Sequence, residues 1–317
     1  MSKGITICAG IDTGKRKLDV ALEAGRERLE VDNNAAGRQV LAAWLERHRV
    51  KRVGIEASGG YEQDVVAELR CKGFVVVMFQ PAQVRAYAMF HLQRAKNDEI
   101  DAALIARCTA DAKKIHAPPD PRLAPFAHDL TLLDQITDTI AGHRNRRETC
   151  RDPRIRQFWK EEIARLKKLQ RAELKRLVAA IRQHPDLAQR LDLINSVDGI
   201  GLPTAVTILV RMPEIGRITR EQAAALAGLA PYDDDSGEMV GVRHIEGGRK
   251  RLRIALYCAA LPASLRWNPQ LIALYQRLIA AGKEHKRALI ACARKLLIFA
   301  NTVVARGTPW MAQPNPA

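Results

Sequence analysis

The sequence predicts a multidomain chain: a mixed α/β domain, then a long helical segment, then a mainly α-helical C-terminal domain. Three observations predict it. Short alternating runs open the chain and give way to alternating helix and strand signals across residues 4–112. A breaker follows at Ala117-Pro118-Pro119-Asp120-Pro121. Beyond it, residues 123–183 carry no strand pattern; Ile163, Leu166, Leu169, Leu174, Leu177 and Ile181 recur there at mostly helical spacing between charged positions. His184-Pro185 opens the last part, so the expected domains are 1–118, 119–185 and 186–317.

In the first domain, residues 4–12 alternate and end in Gly10-Ile11-Asp12, Lys17–Glu23 place Leu18, Val20 and Leu22 on one face, and Arg28–Val31 make a third run. Asn34 is a good cap for a helix through Arg47 with Val40, Leu41, Trp44 and Leu45 as its apolar face. A strand at Arg52–Glu56, a helix near Tyr61–Cys71, a strand at Phe74–Phe79, a helix opening at Pro81 and a last helix over Asp98–Ala112 follow. Three meandering strands followed by β-α units require a mixed sheet with covering helices, the order of a ribonuclease H-like fold. The apolar stripe of 163–181 needs a partner: either a coiled-coil neighbour or the protein's own core. The third part contains Val197-Asp198-Gly199-Ile200-Gly201, a helix near Pro203–Arg211, a turn at Ala227–Pro231, a polar segment Tyr232–Gly248, and helices over 249–263, 269–281 and 285–305.

Composition bounds the function. Of 317 residues 47% are apolar, ample for packed cores, so wholesale disorder is excluded. No stretch reaches the roughly 18 uncharged apolar residues of a membrane span, and the N-terminus lacks signal-peptide anatomy. Six cysteines lie far apart with no Cys-x-x-Cys pair, which disfavours a zinc ribbon or a disulfide framework and fits a reduced, cytoplasmic protein. The net charge of +16 is uneven: +4 over residues 1–118 and +12 over 119–317. Such an excess most often meets nucleic acid; a solvated basic surface is the bland alternative.

Asp12 ends the first expected strand and Glu56 the fourth, while Asp98 and Asp101 share one face of the last helix. In this topology the first and fourth strands are neighbours, so the four carboxylates can converge. An all-carboxylate set suits Mg²⁺, or Mn²⁺ in its place, and suits zinc poorly. Two such ions about 3.5–4 Å apart clamp the attacking and leaving oxygens of a phosphodiester. Singly, Asp12 reads as a turn with Thr13-Gly14, Glu56 as a loop start and Asp98 as a helix cap. Glu62 and Glu99 read as surface charges, and Lys96 as either a phosphate contact or a solvated loop residue.

Val197–Gly201 looks like the turn of a helix-hairpin-helix, where Gly199 and Gly201 let the backbone approach a phosphate; a ligand-free αα-hairpin is the alternative. Ser236 lies in the polar loop Tyr232-Asp233-Asp234-Asp235-Ser236-Gly237, and His244 is too isolated to support a hydrolase triad. Arg243, Arg249, Lys250, Arg251 and Arg253 crowd together downstream, as a phosphate-holding cluster or as a solvated helix start.

Over essentially its full length the chain resembles the DEDD insertion-sequence transposases related to the Piv DNA invertases, the bridge-RNA-guided recombinases of bacteria. The residues that carry the resemblance are Gly10-Ile11-Asp12, Glu56–Glu62, Lys96–Ala102, Val197–Gly201, Leu226–Pro231, Asp235-Ser236-Gly237 and Arg294-Lys295-Leu296-Leu297. The family usually has Thr and Arg where this chain has Asn97 and Glu99, which makes the rim of the site more acidic. The resemblance implies a RuvC-like first domain carrying the tetrad Asp12, Glu56, Asp98 and Asp101, then a coiled-coil segment, then a domain whose catalytic serine maps to Ser236. It implies that this serine joins covalently to a DNA phosphate, with the acidic site supplied by a different protomer of a dimer or tetramer. It further implies a structured non-coding guide RNA pairing with donor and target double-stranded DNA, in the bacterial cytoplasm at the nucleoid. Two rivals remain: a RuvC-like junction nuclease using water, and a nucleic-acid-binding scaffold with a dead metal site.

Overall fold

The structure is a computed structural model that describes residues 7–23, 27–92, 98–113, 120–232 and 244–311; at 98–100 the description covers the backbone alone. It divides into two compact units, Met1–Ala117 and Pro118–Ala317.

The first unit runs β1 (Cys8–Thr13), β2 (Lys17–Leu22), β3 (Arg28–Asp32), α1 (Ala35–Arg47), β4 (Arg52–Glu56), α2 (Gln63–Cys71), β5 (Val75–Phe79), α3 (Pro81–Phe90) and α4 (Asp98–Asp111). The sheet order is β3-β2-β1-β4-β5; β2 is antiparallel to both β1 and β3, whereas β4 is parallel to both β1 and β5. The mixed sheet expected from the meander-then-alternation order is thus present. Asn34 caps α1 by accepting from the Gly37 N–H at 2.8 Å. Val40 does not join the apolar face assigned to it: it is 53% exposed, while Leu41 and Leu45 are buried and Trp44 partly so.

Because side chains alternate along a strand, the sheet has two distinct faces. Ala9, Ile11, Leu18, Val20, Val53 and Ile55 pack with Leu41, Leu45, Val65 and Leu69 under α1 and α2. Gly10 and Gly54 face the other way, toward α4, with Val77 and Phe79 packing there against Leu104 and Ile105. A Cβ at Gly10 would lie 2.2 Å from Ala102 O and Ala106 N, and one at Gly54 1.8 Å from Thr109 Oγ1. Glycine is therefore what lets α4 lie directly on β1 and β4.

The second unit contains α5 (Leu123–Thr149), α6 (Pro153–Arg182), α7 (Pro185–Asn195), α8 (Leu202–Arg211), α9 (Arg220–Ala227), β6 (Pro231–Tyr232), β7 (His244–Ile245), α10 (Lys250–Pro262), a π-helical turn (Ala263–Trp267), α11 (Pro269–Ala280) and α12 (His285–Arg306). Proline opens α6, α7 and α11, where its missing N–H costs nothing. The pattern reading missed α9, the π-helical turn and the two-stranded β6–β7 ladder. Helices α5 and α6 form an antiparallel hairpin. Ile136 and Ile140 meet Ile163 and Leu166 along it, and Gln170 donates to Thr137 Oγ1 at 2.7 Å. Most of the stripe on 163–181 finds its cover in α5 and in the core of the same chain: Ile163 and Leu166 are buried and Leu177 and Ile181 fully so, while Leu169 stays 39% exposed. Of the two expected partners, the cover is thus the chain's own α5 and core, and the buried part of the stripe gives no argument for a second copy. At their near ends, Leu123, Phe126, Leu130, Leu177 and Ile181 share one core with 186–317. Helix α12 is long and apolar enough to cross a membrane by length and composition, but it carries Arg294 and Lys295, and Cys292, Leu296, Leu297 and Ala300 lie in that core.

Candidate active site

Strand register fixes the acidic constellation. Ile11 pairs with Ile55 between parallel strands, so Asp12 and Glu56 follow side by side at the C-terminal ends of β1 and β4. Both have the parity of Gly10 and Gly54, so both project to the α4 side of the sheet. Ala102 rests on Gly10, which puts Asp101 and, one turn earlier, Asp98 at the end of α4 nearest Asp12. Asp12, Glu56 and Asp101 are each half-buried. The side chain of Asp98 lies outside the described residues. Among the described residues no three His, Cys, Asp or Glu side chains are grouped closely enough to hold a metal ion.

A further carboxylate sits on this face. Asp19 pairs with Asp12 across the β1–β2 ladder, so it also points toward α4, and it is buried at 8% exposure. Lys17, two residues away on the same face, lies 3.2 Å from Asp19 and 3.2 Å from Glu30 on β3. Burying a carboxylate beside others demands such a cation. Sequence reasoning passed over Asp19 because Leu18, Val20 and Leu22 claimed the buried face; the signal was its place opposite Asp12 in a tight hairpin, closed by Gly14 N–H to Lys17 O at 2.9 Å.

The loop after Glu56 is organised by Glu62, which is half-buried rather than a free surface charge. One of its carboxylate oxygens accepts from Ser58 N–H (3.1 Å), Ser58 Oγ (3.0 Å) and Gly60 N–H (2.9 Å). Partial burial opposes ionisation, but these donors outweigh it and hold the carboxyl below its ordinary value. Asn33 ties the same region together by donating to Gly14 O and Tyr61 O, both at 3.0 Å.

In the second unit, α7, the turn and α8 form the expected hairpin. Gly199 has φ +97°, and a Cβ there would lie 2.3 Å from the Ala263 Cβ, so packing against the π-helical turn explains this glycine. Gly201, at the N-cap of α8, opens to free space: its Cβ would meet only Pro203, at 3.8 Å. The turn is braced by Trp310, which donates from Nε1 to Asp198 at 3.2 Å and from its backbone N–H to Ser196 Oγ at 2.8 Å.

Ser236, Arg243 and, in the first unit, Lys96 lie outside the described residues. The chain on either side of 233–243 is nevertheless defined. Pro231 pairs with Ile245 and Tyr232 with His244, so the two ends of that segment meet in a ladder. Arg253 donates to Gly228 O (3.3 Å) and Gly247 O (2.7 Å) just below it, and Arg249 N–H donates to Leu226 O at 2.8 Å. The Arg249 guanidinium grips Glu214 through two bonds of 2.8 and 2.6 Å, and that of Arg251 grips Asp138 through two of 2.9 and 2.5 Å. Three of the five clustered cations thus bind protein acceptors and brace the base of the Ser236 segment; Lys250 is exposed at the start of α10.

Residues 9–151 match a family model of IS110-type DEDD transposases, described as Transposase, and residues 191–276 match that of the Transposase IS116/IS110/IS902 family. The chain is 26% identical over 318 residues to the pilin gene-inverting protein of Moraxella bovis, covering 95% of this chain and 96% of that one, and equally to its counterpart from Moraxella lacunata. An insertion element IS110 uncharacterized 43.6 kDa protein of Streptomyces coelicolor is 30% identical over 118 residues, 37% of this chain and 29% of that protein. Two adjacent matches to one family and full-length similarity to a DNA-inverting protein agree with an acidic centre built at paired strand ends. The chain is a DNA transposase/recombinase belonging to the IS110 family of DEDD transposases.

Proposed function

We propose that the chain is an RNA-guided, Mg²⁺-dependent DNA recombinase that mobilises its insertion sequence through a covalent serine–DNA intermediate. The observation that carries the metal site is the side-by-side placement of Asp12 and Glu56 under the helix bearing Asp98 and Asp101. The donors are all oxygens, which fits a hard divalent cation, with Asp98 needed to complete the set. When bound, the ion supplies positive charge against the phosphate oxygens and the attacking hydroxyl. The resemblance supports Ser236 as nucleophile. Its Oγ forms a bond to phosphorus, one phosphorus–oxygen bond of the DNA strand breaks, and the hydroxyl proton ends on the released sugar oxygen. Reversal on a new strand end rejoins DNA without ATP, because the ester conserves the phosphodiester's energy. Lys96, Arg243, Lys250 and the Gly201 turn contact phosphates, while Arg249, Arg251 and Arg253 hold the serine segment in place. The +12 charge of residues 119–317 supports a nucleic-acid partner; the resemblance alone supports a guide RNA pairing with donor and target DNA, and an assembly in which serine and acidic centre come from different protomers.

The test is strand exchange on donor and target duplexes, quenched in denaturant. A protein–DNA adduct mapping to Ser236 is expected, absent in Ser236→Ala and in EDTA, with Asp101→Asn inactive. An adduct at another residue, full activity in EDTA, or site-specific exchange after deletion of the element's non-coding flank would each refute its part of the reading.

A further inference from the structure

Helix α5 is electrically polarised along its length. Its near part carries Asp129, Asp134 and Asp138 and no Lys or Arg over 123–142, whereas the facing shaft of α6 carries Lys168, Arg171, Lys175, Arg176 and Arg182. These acids are used within the second unit: Arg176 pairs with Asp129, Arg211 with Asp134 and Arg251 with Asp138. The far end is the reverse. Residues 144–160 hold seven Lys and Arg (Arg144, Arg146, Arg147, Arg151, Arg154, Arg156 and Lys160) and two acids. All seven cations are exposed. Asp152 is consumed as the cap of α6, accepting from Arg154 and Ile155 N–H at 2.8 and 3.1 Å. Among the described residues none of Arg147, Arg151, Arg154, Arg156 or Lys160 has an ion-pair partner.

This end has a built shape. Arg147 from α5 and Arg156 and Lys160, one turn apart on α6, line a cup of about 310 Å³ with Pro153 and Gln157. Beside it Trp159 is fixed between His143, 4.7 Å away between ring centres, and Arg146, 5.6 Å from its ring centre, with Phe158 54% exposed next to it. Leu133 lies in the shared core and Arg147 fourteen residues beyond it, so the tip stands about 20 Å clear of that core.

We propose that the tip of the α5–α6 hairpin is a phosphodiester-binding site, with the cup of Arg147, Arg156 and Lys160 seated on the backbone of a nucleic-acid duplex. This rests on the reading that the chain acts on nucleic acid. Unpaired, clustered cations are worth most against a polyanion, whose condensed counterions they release. A second copy of the same tip is disfavoured, because it would set like charges against each other within a screening length of about 8–10 Å. The exposed aromatic edge adds a stacking surface for an unpaired base at the duplex end.

The test uses the full chain in EDTA, so that binding is read without reaction, with labelled duplex DNA and duplex RNA as separate probes and anisotropy read across a salt series. Arg147→Ala/Arg156→Ala/Lys160→Ala is expected to bind one or both probes at least tenfold more weakly near 0.1 M salt. Its log K against log salt slope should fall by about 2.7, at about 0.9 per lost contact to B-form DNA. Which probe loses affinity identifies the nucleic acid. The control Lys168→Ala/Arg171→Ala/Lys175→Ala removes the same charge from the shaft of α6 and is expected to leave the slope near wild type. Equal losses in both triple variants would assign the effect to net charge and overturn the proposal. So would an unchanged slope, or a change in molar mass by light scattering with binding intact, which would make the tip a contact between copies. Because binding is read apart from chemistry, an intact tip effect with no strand exchange would refute the proposed reaction and leave the site standing.

Discussion

Gly10→Ala should disable the acidic centre without touching a carboxylate. The new Cβ would sit 2.2 Å from Ala102 O and Ala106 N, about 1 Å inside normal contact, and its opponents are main-chain atoms of α4 that no rotamer change can move. Helix α4 must lift or tilt by roughly that distance. Overpacking of this kind costs about 1–3 kcal/mol, and a displacement of about 1 Å at a reacting centre costs on the order of 100-fold in rate. Gly54→Ala supplies the contrast. Its Cβ would strike Thr109 Oγ1 at 1.8 Å, a side-chain atom, with Ile105 Cγ2 and Phe79 Cε2 next at 3.0 Å. Thr109→Ala should therefore recover part of the Gly54→Ala loss, with a coupling of about 1–3 kcal/mol, whereas neither Ala102→Gly nor Ala106→Gly should recover Gly10→Ala. Calorimetry of the first unit's transition gives the stabilities and strand exchange gives the rate. Wild-type stability and activity in Gly10→Ala, or failure of Thr109→Ala to rescue Gly54→Ala, would refute the claim that α4 is seated on glycine.

Three further outcomes are expected. Glu62→Gln should cost about 1 kcal/mol near neutral pH, a charge-assisted set discounted for solvent screening, and should loosen the loop after Glu56. The carboxyl's folded value is lowered, so its contribution is fully present above the unfolded value near 4.5 and is lost as pH falls through the folded one; the stability gap to Glu62→Gln, followed by pH-dependent melts, should close in acid. Asn301→Ala should cost about 2–4 kcal/mol, because the buried amide accepts from Gly216 N–H and donates to Ile218 O, both at 2.8 Å, and both groups would lose their partner; a loss under 1 kcal/mol by chemical denaturation would show that water replaces it. Lys17→Met removes a cation 3.2 Å from both Asp19 and Glu30 and should destabilise the first unit by more than Lys17→Arg does; equal losses in thermal melts of the two variants would show that the charge of Lys17 does not contribute.

The first unit was legible because its signals are local and periodic. Strand alternation, the Asn34 cap and Pro81 at a helix start each specify an element by themselves, and the order of elements then specifies the sheet. From that order the neighbourhood of Asp12 and Glu56 follows. Asp19 was not legible in the same way. Alternation says which residues share a face, and it assigns the polar face to solvent unless something covers it. That cover is α4, nearly 80 residues later, held down by two glycines whose meaning lies in a long-range contact. Val40 fails for the opposite reason: it has the right period, but the buried stripe of α1 is narrower than its apolar residues allow.

The arginines show the same limit at the level of charge. A run such as Arg249-Lys250-Arg251-Leu252-Arg253 looks in sequence like a phosphate clamp. In the fold its guanidiniums reach Glu214, Asp138 and two carbonyls, residues up to 113 positions away. Near the hairpin tip a sparser basic run, 144–160, has no ion-pair partner among the described residues for Arg147, Arg151, Arg154, Arg156 or Lys160, because the hairpin carries it beyond the acids of the core. Basic density alone therefore does not distinguish a structural brace from a binding surface. The distinction is where the carboxylates fall once the chain is folded. Cations that fold onto acids position a segment, here the one bearing Ser236, and cations that form no ion pair keep more of their attraction for a partner that brings its own negative charge.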